Sequence, residues 1–360
     1  MKYRYLILAL AVFAYASCAH VEPAGSNLPE YVRDIISGKD TRLHSLVTSY
    51  NPDDRSKSVF VLGPMERSLP AIRALMTCDR FDNVDGRRTP DGLPDFAGES
   101  LCAIYDIDYS GINESGELRR ATVRSVIQAM DTVCFVSPYD KSGLGRKPGA
   151  KLVLLTSPRA ALSGMSDVDT LLTALSCNMP VICPMKIALE PFFAQKKKSA
   201  VIAVIGDSAE KDLDAYPAYV QSLAAKAGMD TSACFVRTDS TAKPLLSLLD
   251  AYAASGASLP IDMLLVDNHR VDANEIRAEL ARVRSVMNEE SFLYGNLVSR
   301  DFKVVDLAAV GAESCFTSLR RRNLFTHKVA YPTIMEYMSV SSPADSIKEM
   351  LLQYNTKYLH

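Results

Sequence analysis

Polar side chains gather where apolar runs end. Gly63-Pro64-Met65-Glu66, Asp106-Ile107-Asp108, Ser137-Pro138-Tyr139, Ser157-Pro158-Arg159, Asp207-Ser208, Arg237-Thr238-Asp239 and Asp267-Asn268-His269 each follow a strand-like stretch. In an open parallel sheet, ligands bind beyond the carboxyl ends of the strands. Glu66, Asp106, Ser137, Ser157, Asp207, Arg237 and Asp267 are therefore the candidate lining of a binding cleft. Carboxylates, hydroxyls and a guanidinium in one rim suit a small polar molecule with hydroxyl or amino groups. Each residue also has a plainer use, because Asp and Ser after a strand commonly cap the next helix. Only convergence of the set would mark a site.

Covalent and acid–base chemistry has fewer candidates. Neither G-x-S-x-G nor the phosphate-cradling G-x-x-x-x-G-K-[ST] and G-x-G-x-x-G occurs. Of the five His, His20, His44 and His360 lie outside the expected core, which leaves His269 and His327. His269, close to Asp267, could act as an acid or base with Ser137 or Ser157. No C-x-x-C occurs, and the closest pair, Cys177 and Cys183, has no His nearby, so no metal and no cofactor is expected. The stretch 79–99 holds Asp79, Asp82, Asp85, Asp91, Asp95 and Glu99 around Gly86. Hard oxygen donors beside a Gly turn suit Ca²⁺, but their spacing departs from the twelve-residue EF-hand loop. A turn-rich solvated loop, or a lid that contributes Asp95 or Glu99, fits the same residues. Arg320-Arg321-Arg322 could pair with an anion, although a short charge run usually forms a solvated helix face.

The elements that must position these groups follow a simple rhythm. Strand-like runs recur at Ser58–Leu62, Leu101–Ile107, Thr132–Val136, Lys151–Thr156, Pro180–Cys183, Ala200–Ile205, Ser232–Val236, Ile261–Val266 and Phe302–Val305. They are continuous rather than alternating, as strands covered on both faces are. Helix-period segments lie between most of them: Arg67–Met76, Leu118–Met130, Asp167–Ser176, Tyr216–Ala227, Pro244–Ala254 and Ala273–Met287. Strand and helix in alternation predict an α/β protein with doubly wound parallel sheets. Lys196-Lys197-Lys198 separates a first set of strands from a second, which predicts two lobes over 58–195 and 196–308 joined by a hinge. Residues 309–360 are expected to cross back toward the first lobe, and 18–57 to form a tether with lead-in helices. Cys102, Cys134, Cys183 and Cys234 fall in or beside apolar runs, where a free thiol behaves as a small buried hydrophobe.

Composition narrows the function classes. Lys and Arg number 40 against 42 Asp and Glu, a net charge of -2, which argues against a nucleic-acid partner held by counterion release. With 48% hydrophobic residues in 360, the chain can bury about two cores. The first residues resemble a secretory leader: Lys2 and Arg4, then an apolar run from Tyr5 to Ala16 too short to span a bilayer. Ala16-Ser17-Cys18 resembles a bacterial lipobox, with Tyr15 where that pattern carries an aliphatic residue. This implies a signal peptide over 1–17 and lipidation at Cys18, holding the body at a membrane of the cell envelope. No residue points to a particular transporter or envelope partner.

Two lobes of this pattern resemble the type I periplasmic binding proteins. The second lobe carries the resemblance best, in Ala200-Val201-Ile202-Ala203-Val204-Ile205-Gly206-Asp207 and Ile261-Asp262-Met263-Leu264-Leu265-Val266-Asp267-Asn268. The resemblance implies a solute-binding or sensing lipoprotein that holds a small polar ligand between its lobes. The alternative is an envelope enzyme, a hydrolase or isomerase, using the same cleft. The aspartate and glutamate racemase superfamily also joins two α/β lobes, with one Cys from each. Cys102 or Cys183 with Cys234 or Cys315 would fill those places, but the Asn-Thr and Cys-Thr-His turns of that superfamily are absent. The lipobox reading makes one direct prediction. Cys18→Ser abolishes fatty-acid incorporation and releases the body from the membrane fraction; labelled lipid entering the variant would refute it.

Overall fold

The computed structural model describes residues 28–106, 115–135, 144–195, 199–206, 211–229, 235–256, 259–285, 289–328, 330–340 and 350–354. Cys18, the leader and the Lys196–Lys198 cluster lie outside them. Two lead-in helices, α1 (Glu30–Ile36) and α2 (Thr41–Thr48), precede β1 (Ser58–Gly63), α3 (Met65–Thr77), β2 (Ser100–Asp106) and α4 (Ser115–Met130). The chain continues through β3 (Val133–Phe135), β4 (Leu144–Arg146), β5 (Ala150–Leu155), α5 (Pro158–Ala174), β6 (Val181–Ile182) and α6 (Pro184–Phe193). The second lobe is built from β7 (Ile202–Gly206), α7 (Ala215–Lys226), β8 (Phe235–Thr238), α8 (Pro244–Ala254), β9 (Ile261–Asp267), α9 (Ala273–Arg284), α10 (Glu289–Tyr294) and β10 (Val298–Asp306). The last elements are α11 (Leu307–Arg321), β11 (Thr333–Val340) and β12 (Met350–Tyr354).

The first sheet runs β12-β11-β2-β1-β5-β6, parallel except for β12; the second runs β10-β9-β7-β8, parallel throughout. This is the expected mixed α/β architecture of two parallel-sheet lobes. Strands β1, β5 and β7 are buried at every position, which explains their unbroken apolar runs. One face of the first sheet packs on α4 and α5, and its core continues without interruption into Ile202, Val204, Met263 and Leu265 of the second sheet. The opposite face is covered by α3 and α11, with Ile72, Leu75, Phe316 and Leu319 at the centre. A third core lies between the far face of the second sheet and α8 and α9. Helix α11 thus leaves the second lobe at Asp306 and packs on the first, and β11 joins β2 in parallel register from Thr333↔Ser100 to Ser339↔Asp106.

Several expectations need correction. The strand near Thr132 is not part of the main sheet. Only three residues long, β3 pairs antiparallel with β4 alone, and β4 lies outside every strand-like run of the sequence. Of the readings of the stretch 79–99, the one the structure shows is the turn-rich loop. Its carboxylates are taken by backbone N–H groups: Asp79 accepts from Asp91 and Gly92, Asp82 from Val84 and Asp85, and Asp95 from Arg80 and Phe81. Among the described residues no cluster of acidic, His or Cys side chains could hold a metal ion. The loop is fastened to α11 instead: Phe81 stacks on Phe316 with centroids 4.3 Å apart, Arg88 reaches Glu313 at 2.6 Å, and Arg80 pairs with the same carboxylate. Glu99 is buried against Lys151 at 2.6 Å, and Lys151 Nζ also donates to the carbonyls of Arg55 and Leu324.

No disulfide joins the described cysteines. Cys102, Cys134, Cys177, Cys183 and Cys315 are buried and Cys78 is half-buried; Cys234 lies outside the described residues. No helix among the described residues is long and apolar enough to cross a membrane.

Beneath β1 a second buried cation, Lys147, donates to the Gln128 carbonyl at 2.7 Å and to that of Asp131, with its ammonium 4.9 Å from the Phe60 ring centroid. Burial lowers its pKa from 10.5 to about 8. Between these values the unfolded chain binds the extra proton and the folded one does not, so this group adds stability as pH rises from 8 to 10.5. The difference in unfolding free energy between wild type and Lys147→Met should therefore shift in favour of wild type by about 3 kcal/mol across that window. Urea titrations at both ends of the window check it, and a pH-independent difference would refute it.

Candidate functional site

Five helices start at one place. Helices α3, α5, α6, α9 and α11 each begin right after a strand or strand-end turn, and residues at or next to all five starts line a single cleft of about 470 Å³ between the lobes. Helix N-termini carry partial positive charge and unpaired N–H groups, so this cleft favours negative or hydrogen-bond-accepting groups. Three of the starts are capped: Ser157 accepts from Ala160 N–H at 3.1 Å, Asp272 from Asn274 at 2.8 Å and Asp306 from Ala309 at 3.1 Å.

The floor of the cleft is set by a close approach of β1 and β5. Gly63 adopts φ +146°, and a Cβ at that position would overlap Thr156 Oγ1. Without a side chain there, Thr156 Oγ1 donates to the Leu62 carbonyl at 3.0 Å and meets Ser68 Oγ at 3.3 Å.

Across the middle runs an ionic contact between residues 200 positions apart. Arg67, in the first turn of α3 and only 3% exposed, pairs through Nη1 with Oδ2 of Asp267, the last residue of β9. Tyr216, fully buried at the start of α7, donates to the same oxygen at 2.5 Å. Burial, then the neighbouring Asp267 carboxylate, hold the Tyr216 phenol well above its usual pKa of 10, so it is a neutral donor. A carboxylate that accepts from a guanidinium and a phenol in a half-closed site is strongly held. Cys183, the residue before α6, completes the cleft from the first lobe. Burial pushes its thiol up to about 11, while the N–H groups of Lys186 and Met185 pull the other way. On the second-lobe rim His269 and Arg270 are exposed.

The structure brings together part of the expected lining. Glu66 lies exposed at the cleft mouth, and Asp267 sits at its centre. Ser157 is buried beside it as the cap of α5, the plainer of its two uses. Arg237 is elsewhere: it projects from β8 to Asp214 at 3.2 Å, on the exposed side of the second lobe. Ser137 and Asp207 lie outside the described residues, as does the side chain of Asp106, which ends β2. Arg67 and Tyr216 were missed because strand ends alone were read. The first turn of the following helix reaches the same cleft, and that offset was available in the sequence.

No protein-family model and no curated protein sequence matches the chain. Solved structures do. A glutamate racemase from Bacillus anthracis is 15% identical with a TM-score of 0.44, covering 80% of this chain and 90% of its own. A glutamate racemase from Francisella tularensis, determined with D-glutamate, is 10% identical with a TM-score of 0.46 and the same coverage. A LacI-family transcription regulator from Clostridium acetobutylicum is 11% identical, TM-score 0.27, covering 77% of this chain and 97% of its own. These likenesses are of fold alone. As a correction to the expected solute-binding lipoprotein, the two-lobed structures found are for the most part glutamate and aspartate racemases and not solute-binding proteins. Of the thiols named for a pairing across the lobes, Cys183 lines the cleft, Cys102 and Cys315 are in the cores, and Cys234 lies outside the described residues.

The clasp generates a stability prediction. Tyr216→Phe removes a hydrogen bond to a charged group and should cost about 1–3 kcal/mol. Combined with Asp267→Asn in a double-mutant cycle, the two losses should be non-additive by more than about 0.5 kcal/mol. Chemical denaturation checks both, and strict additivity would show that the two side chains do not interact.

Proposed function

We propose that the chain is an isomerase that moves a proton on a small, polar, amino-acid-like molecule held between its lobes. The observation behind this reading is the meeting, in one cleft, of a thiol from the first lobe with an imidazole and a carboxylate from the second. A binder needs only complementary donors and acceptors, whereas this set includes groups able to take and return protons. His269, exposed on the cleft rim, can accept a proton on a ring nitrogen, which suits it to remove a proton from a carbon next to a carboxylate. Cys183, protonated by virtue of its burial, returns a proton to that carbon from the other lobe. The carbon is inverted, and the resulting imidazolium and thiolate exchange protons with water before the next turnover. The N–H groups of Met185 and Lys186 favour the thiolate during that interval. Anchoring through a lipid at Cys18, in a bacterial envelope, belongs to the same proposal.

The test is isotopic. Purified protein incubated in D₂O with a panel of D- and L-amino acids should introduce deuterium at Cα of one or a few of them, read by proton NMR. His269→Ala and Cys183→Ala should each slow that exchange by about 100-fold or more. Absence of exchange with every amino acid, or exchange unchanged in both variants, would overturn the proposal.

A further inference from the structure

Four acidic residues line the cleft, and they are used differently. Asp272 and Asp306 are spent on helix caps, and Glu66 is exposed at the mouth. Asp267 alone is directed into the interior, where its carboxylate lies against the buried guanidinium of Arg67. We propose that Arg67 is the receptor for the carboxylate of the cleft's ligand, and that Asp267 is a built-in carboxylate occupying that receptor until a ligand exchanges with it. The inference rests on the isomerase reading only for the size and polarity of the ligand.

Three observations support it. Arg67 is 3% exposed and reaches the cleft from the first lobe, so its charge requires an anionic partner whichever carboxylate supplies it. Asp267 ends its strand at the cleft and its side chain is 15% exposed, so its carboxylate is within reach of a ligand entering the cleft. Tyr216, already a neutral donor aimed at the Asp267 oxygen, is placed to donate equally to an incoming carboxylate at the same point. The exchange swaps one ion pair for another of the same chemistry, so it adds no unpaired buried charge. It also frees Asp267 at the moment a substrate arrives, beside the proton-transfer groups.

The arrangement makes Asp267 a competitor of the ligand. If it holds Arg67 for nine-tenths of the time or more, removing its charge should tighten apparent carboxylate affinity at least about tenfold. The experiment uses the purified protein and simple anions at constant ionic strength: sodium acetate, with chloride and phosphate as the other arms, and thermal melting as the readout. Asp267→Ala and Asp267→Asn should both melt lower than wild type, and acetate should restore them at concentrations at least about tenfold below those that affect wild type. Arg67→Met/Asp267→Ala should not respond. An acetate response no larger than that of chloride, a response to phosphate alone, or one surviving in the double variant would overturn the inference. If Asp267→Ala does not fold, the isosteric Asp267→Asn carries the comparison. Since the readout is melting, an acetate response without deuterium exchange would sink only the isomerase proposal, and exchange without an acetate response only this one.

Discussion

Everything else in this molecule depends on a single apolar body that runs through both lobes. Leu62, Val153 and Leu155 of the first sheet and Ile202, Val204, Met263 and Leu265 of the second belong to one continuous core, with α5, α6 and α7 between them. Parallel strands cannot leave either face in water without exposing apolar surface along their whole length. Covering both faces of two sheets therefore forces the helices between the lobes to serve both. That shared packing, and not a thin connection, sets the separation of the strand ends and hence the width of the cleft. The contact between Arg67 and Asp267 is possible because the core has already brought their backbones together.

Within that frame the cleft is electrostatically balanced. The positive ends of several helices meet there, and so do Arg67, Arg73 and Arg270, against Glu66, Asp267, Asp272 and Asp306. Two of those acids neutralise the helix ends to which they belong, by accepting backbone N–H groups. A molecule carrying both an amino and a carboxyl group would find partners of each sign, which a cleft of one sign would not provide. Cys183 is buried there, and its thiol holds its proton against two N–H groups that favour releasing it.

Much of the fold was legible in the sequence, because it is written in local apolar runs. Strands such as Val59–Leu62 and Ile202–Ile205 are buried on both faces and contain no polar interruption, so their existence needs no knowledge of neighbours. Helix α6 was not read, since Pro184 opens it and Pro191 lies inside it, and prolines in a short segment suggest a turn. The acidic loop stays open among several readings in the sequence, because composition shows six carboxylates but not the backbone N–H groups that donate to them, which only the folded turn supplies. The site was half legible. Asp267 and Glu66 followed from the rule of strand ends, whereas the value of Arg67 comes from a partner 200 positions away that no local pattern announces.

The place of β11 has a consequence for how the protein is made. This strand, near the end of the chain, lies inside the first sheet beside β2, and the Leu324 carbonyl just ahead of it is one of the acceptors that satisfy buried Lys151. Until the ribosome has passed residue 340, β2 is an open edge strand with apolar side chains, and a lysine meant for the interior lacks one of its acceptors. Such an edge invites pairing with other chains. The first sheet thus lacks its β11 neighbour until residues 333–340 have been made. A fragment ending with the second lobe would inherit the same open edge permanently.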